Sequence, residues 1–183
     1  MGQASAGGGS TDVVTAKMRE LVRTVVRHGI GPLSASRPWA EERRQRSGGD
    51  VEAAVSTVVN ESATAAATTG FVTGLGGLLT LPVALPANVA GSLAMNARMV
   101  GGLAHLRGHD LEDEHNLELV EVVVLGGGGP QRLIGELGKR SGVRLAASVL
   151  RAVPVIGGLA NGAADAGLTV ALSRSALQAF PRR

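Results

Sequence analysis

The sequence has no cysteine and no tyrosine, and it holds only two phenylalanines and one tryptophan. Without cysteine there is no disulfide framework, no thiolate metal site and no cysteine nucleophile. With so few rings, a surface that stacks bases or cages a quaternary ammonium is poorly supplied. No strict Gly-X-Y period appears, although 27 of the 183 residues are glycine, so a collagen triple helix is excluded. Residues 1–10, MGQASAGGGS, lack the apolar run of a signal peptide and read as a flexible N-terminus. Ala6 stands where a myristoylation signal needs Ser or Thr.

What is present is mostly small and apolar: 44% of residues are hydrophobic and 18% are charged, too apolar for a wholly disordered chain. The length suits about one domain. The net charge of +3 is unevenly laid out. Residues 1–46 are net +4 and residues 122–183 net +6, while residues 107–121 are net −5. From Ser62 to Ala97, 36 residues pass without a charge. Basic ends suit contact with an anionic membrane surface. They are too dilute for nucleic acid, which would need a denser Lys/Arg stripe.

Apolar residues recur at helical spacing. Val14, Met18, Leu21, Val22, Val25 and Val26 define an amphipathic helix over 11–30, stopped by Gly29 to Pro32. Residues 31–49 read as a loop with a short helical turn around Trp39 to Arg46. A second helix starts near Asp50. The apolar centre, residues 70–95, is long enough for a bilayer span, but Pro82 and Pro86 interrupt it. The expectation is a break near 76–83 and a new helix from Pro82 or Pro86 to about Arg107, with Gly108 as its stop. The halves would form a helical hairpin, buried or partly inserted in lipid. Asp110, Glu112, Asp113 and Glu114 fall where the next helix would begin, and carboxylates there meet free N–H groups. That helix ends at the four glycines 126–129. Short helices over 131–140 and 142–152 follow, then a long one over 153–180 with small residues at Gly158, Gly162 and Ala166 that permit close approach. EVVVLGGGG, residues 121–129, has strand character but no partner strand, and is kept helical. The fold class is all-α: a single compact bundle of five to seven helices with Gly/Pro-broken apolar helices.

The segment GFVTGLGGLLTLPVALPANVAGSLAMNARMVGGLAHLRGHDLED, residues 70–113, resembles the signature region of the EcsC family, and VPVIGGLANGAADA, residues 153–166, resembles its second block. The resemblance covers residues 11–180. It implies a helical, membrane-associated protein with a neighbourhood near an ABC transporter linked to secretion, and it supplies no catalytic residue.

Candidate sites are few. His105 and His109 are four apart, but the Glu of an HExxH site is missing and Gly108 falls between them. The acids around them fit an ordinary helix start better than a metal site. Asp165 is the sole acid after Glu136, set among glycine and alanine, with Asn161 one turn before it. A buried carboxylate is costly unless paired. Asp165 is expected to pair with Arg98, or with Arg151 or Arg174, as a polar lock between helices. The glycine loops at 74–77 and 126–129 lack the lysine and Ser/Thr of a phosphate-binding loop. No Gly-x-Ser-x-Gly elbow is present. Arg19, Arg23 and Arg27 on the first helix, with Arg43, Arg44 and Arg46, are candidates for the membrane surface.

With no catalytic constellation and no cofactor motif, two classes remain. One is a non-enzymatic membrane-associated accessory or scaffold protein at the inner, cytoplasmic face of the membrane, held by anionic lipid or a membrane protein. The other is a soluble bundle that binds a lipid or another apolar small molecule between helices.

Overall fold

A computed structural model describes residues 8–67, 87–125 and 162–183. The hairpin expected around 70–86, both glycine loops, the short helices over 131–152 and Asn161 lie outside the described residues. The described chain is all-α, with six helices and no strand among them. They are α1 (Gly8–His28), α2 (Ser36–Arg46), α3 (Val51–Ala67), α4 (Ala87–Leu106), α5 (Glu114–Val124) and α6 (Gly162–Ala179).

Helix boundaries follow local chemistry. Asp50 caps α3: its Oδ1 accepts from the N–H groups of Glu52 at 2.9 Å and Ala53 at 3.2 Å. Asp113 caps α5 in the same way, accepting from His115 at 2.8 Å and Asn116 at 3.2 Å. The acidic block is thus a helix start, as its composition suggested. α4 begins directly after Pro86 and ends before Gly108, whose φ of +87° turns the chain away. EVVVL stays helical as far as Val124.

The stretch expected as a loop with one helical turn is a full helix, α2, beginning at Ser36. Pro38 sits in its first turn, where a missing N–H costs nothing. The helix carries almost no apolar stripe. It is held by the buried Trp39 and Ala40, and by the Ser36 hydroxyl, which donates to the Arg98 carbonyl at 3.1 Å.

α4 is the hub and packs against each of the other five described helices. Ala90, Ala94, Ala97 and Ala104 are buried along it, with Met99, Val100 and Leu103 between them. These small side chains let neighbours approach on several sides. A Cβ on Gly101 would stand 2.5 Å from Ser36 Oγ, which measures how close α2 comes. α1 buries Leu21, Val22, Val25 and Val26, the stripe read from spacing.

Ion pairs and terminal bonds fix helix directions. Glu52, at the start of α3, pairs with Arg107, just past the end of α4, at 3.2 Å, so these two helices are antiparallel. The Arg183 N–H donates to the Arg107 carbonyl at 3.1 Å, and His109 Nε2 lies 2.8 Å from the Pro181 carbonyl, so α6 runs parallel to α4. Arg27 pairs with Glu112 and Glu114 while Arg19 reaches Glu121, so α1 runs opposite to α5. The end of α3 (Ala67) and the starts of α1, α4 and α6 therefore lie at one pole, and α5 points toward it. The other pole is closed by residues 47–50, the 107–113 turn and the C-terminal residues.

Candidate functional site

Two polar assemblies interrupt the apolar core. The first joins α1 to α5. Arg23 Nη1 lies 2.6 Å from Glu114, and Arg23 Nε bonds Glu121. Arg27 Nη2 lies 2.8 Å from Glu114 and Arg27 Nε 3.6 Å from Glu112. Arg19 Nε stands 3.9 Å from Glu121. The Glu121 side chain is 2% exposed, while Arg23 retains 35%. Burial pushes the Glu121 carboxyl above its ordinary value, against the pull of Arg23 and Arg19. Bonds from Arg23 and Arg27 hold the exposed Glu114 below it. Arg23 is raised: its carboxylate partners outweigh the desolvation that alone would lower it. The carboxylate of the Arg23–Glu121 pair bears the cost of burial, and the guanidinium keeps the benefit.

The second assembly lies where α2, α3 and α4 meet. The Arg98 guanidinium of α4 sits over the Trp39 ring, 4.3 Å from its centroid, and that of Arg43 stands 5.0 Å from the same centroid. Arg43 Nε donates to Glu61 of α3 at 2.9 Å, and its Nη1 donates to Glu42 at 2.6 Å. No carboxylate forms an ion pair with Arg98 among the described residues, and its buried Nε has no hydrogen-bond partner there. Desolvation, then repulsion from Arg43, lowers Arg98 to about 10, so it remains a cation at neutral pH. Beside this cluster, His105 Nε2 lies 2.7 Å from Glu41, which also meets Arg44 at 3.3 Å. Arg46 pairs with Glu42.

The residues singled out by sequence fall as follows. Arg19, Arg23 and Arg27 face the glutamates of the acidic block, so these charges are engaged within the bundle. Arg43 is held on Trp39 and Glu61. Arg44 and Arg46 are exposed and pair within α2. Arg98 meets Trp39. Asp165 belongs to α6, but its side chain, like Asn161, lies outside the described residues. His105 and His109 do not converge: His109 turns to Pro181 and packs edge-on against Phe180, with centroids 5.2 Å apart. Among the described residues no group of histidines and carboxylates is placed to hold a metal ion. The buried Ser36, Ser173 and Ser175 hydroxyls all donate to backbone carbonyls.

Sequence reasoning gave no role to Trp39, Glu61 or Glu121. For Glu121 a signal existed: it lies four residues after Leu117 and three before Val124, on the apolar face of α5. Trp39 and Glu61 carried no such mark, because their partners come from other helices.

No helix of the described residues is long and apolar enough to cross a membrane. No family model, curated protein or solved structure matches the chain.

Proposed function

We propose that the protein is a non-enzymatic, membrane-associated accessory or scaffold protein of the EcsC type, attached at the inner face of the membrane beside a transporter or secretion system. One observation supports this reading above the others. α3 ends and α4 and α6 begin at one pole, and the stretches of sequence between the described residues are 68–86 and 126–161. The first holds no charge and the second is net +4. An uncharged stretch together with a cationic one suits an anionic lipid surface. The α1 arginines, by contrast, are occupied by Glu112, Glu114 and Glu121. Attachment is therefore proposed through these two stretches and not through the α1 face expected from sequence.

Fractionation of the untagged chain at native level tests this. The membrane pellet is washed first with high salt and then with alkali. Recovery in the pellet with release by salt supports a headgroup contact, and resistance to both washes supports insertion of apolar residues into the bilayer. A chain found wholly in the soluble fraction refutes membrane attachment. In that case a bundle holding an apolar ligand becomes the better reading, and native mass spectrometry would show the bound mass.

A further inference from the structure

We propose that Arg98, stacked on Trp39 beside Arg43, is a binding site for a phosphate group, with the Arg98 guanidinium as the principal donor. Arg98 and Arg43 share one indole ring, at 4.3 and 5.0 Å from its centroid. Glu61 bonds Arg43 and influences Arg98 only through space. Glu42 is divided between Arg43 and Arg46. Among the described residues, three guanidinium groups thus stand against two carboxylates, and the cation without an ion-pair partner there is Arg98.

A desolvated guanidinium is stable only when its donors meet acceptors. Stacking on the indole supplies attraction to the ring face but no acceptor in the guanidinium plane. The planar fork of Arg98 matches two oxygens of a tetrahedral phosphate, which a point-charge lysine would not. Trp39 holds the Arg98 guanidinium over its ring and Glu61 holds Arg43 in place, so little ordering remains for binding to cost. Arg98 is partly exposed, which leaves a route from solvent. The phosphate would come either free in solution or on a lipid headgroup. The chemistry at Arg98 is the same, and the inference stands whether or not the chain meets a membrane.

Trp39 is the sole tryptophan of the chain, so its emission reports on this cluster alone. The full chain is titrated with inorganic phosphate against chloride at constant ionic strength. The expected result is a saturable change in Trp39 emission that weakens about tenfold or more in Arg98→Gln and persists in Arg46→Gln. Phosphatidic acid vesicles form the second arm. An Arg98-dependent response to vesicles as well as to free phosphate assigns the headgroup, and a response to free phosphate alone assigns a soluble phosphate. No saturable response in either arm, or an equal response in Arg98→Gln, overturns the proposal. If circular dichroism shows that Arg98→Gln does not fold, phenylglyoxal modification of the native chain replaces it. Protection of Arg98 by phosphate, read by mass spectrometry, supports the site, and equal modification with and without phosphate overturns it.

Discussion

Replacing Arg23 by Gln should destabilise the protein far more than replacing Glu121 by Gln, although both changes remove the same ion pair. Without Glu121, Arg23 remains 35% exposed and keeps Glu114 at 2.6 Å. Without Arg23, Glu121 is left in a site where its side chain is 2% exposed, with only Arg19 at 3.9 Å. Breaking a buried pair from one side strands a charge and costs several kcal/mol. The cost here has a ceiling, because a stranded carboxyl can take up a proton instead. The ordinary value of 4.5 lies two and a half units below pH 7. At about 1.4 kcal/mol per unit the ceiling is roughly 3 kcal/mol. The sign follows from the raised carboxyl. Below its folded value Glu121 binds a proton in the native state before it does so in the unfolded chain. Stability is therefore gained as pH falls toward 4.5 and lost as pH rises. The deficit of Arg23→Gln should be at most roughly 3 kcal/mol at pH 7, at most about 1 kcal/mol one unit above the ordinary value, and near zero at it. Urea denaturation followed by Trp39 emission measures it at each pH. Adding Glu121→Gln to Arg23→Gln should restore most of the loss at pH 7. A deficit under about 1 kcal/mol at pH 7, or one that does not shrink on acidification, would refute the reasoning.

Further outcomes follow from the same contacts. Gly101→Ala would set a methyl 2.5 Å from Ser36 Oγ and should cost about 1–3 kcal/mol in a thermal melt, with Ser36→Ala partly relieving it. Asp113→Ala removes the acceptor for two N–H groups of α5 and should cost about 1 kcal/mol, read by denaturant midpoint. Glu114, held low by Arg23 and Arg27, supports the fold above 4.5 and loses that support as pH falls through its folded value. Glu114→Gln should accordingly flatten the acid limb of the melting curve against pH. Asp165→Ala should lower the melting temperature if Asp165 acts as a polar lock between helices, and an unchanged melt removes that role.

The helices were legible where one segment carries its own signal. The α1 stripe of Leu21, Val22, Val25 and Val26, the helix starts near Asp50 and in the acidic block 110–114, and the stop at Gly108 are all local, since each depends on residues within a turn or two. α2 was not legible, because its helicity rests on Trp39 and Ser36 meeting α4, some sixty residues away in sequence. The same limit governed the polar clusters. Spacing marked Arg19, Arg23 and Arg27 as a wet basic face, yet their partners at Glu112, Glu114 and Glu121 stand on a helix whose place in space no periodicity gives. Arg98 was noticed as the first charge after Glu61. What it touches depends on where α2 lies, and the composition of 31–49 reads mostly as loop.

The position of α4 has an evolutionary consequence. From Ala90 to Leu106 no residue is fully exposed, and only Ser92, Asn96, Arg98 and His105 are partly so. A helix at the rim of a bundle can drift on its solvent side while its inner stripe is held fixed. A helix enclosed by five neighbours has no such side, and any enlargement must be accommodated by two or more of them at once. In a library of single substitutions, α4 should therefore show nearly uniform intolerance along its length, while α1 tolerates change at every third or fourth position. Divergence of this sequence would be slowest along α4, at residues set by geometry and not by chemistry.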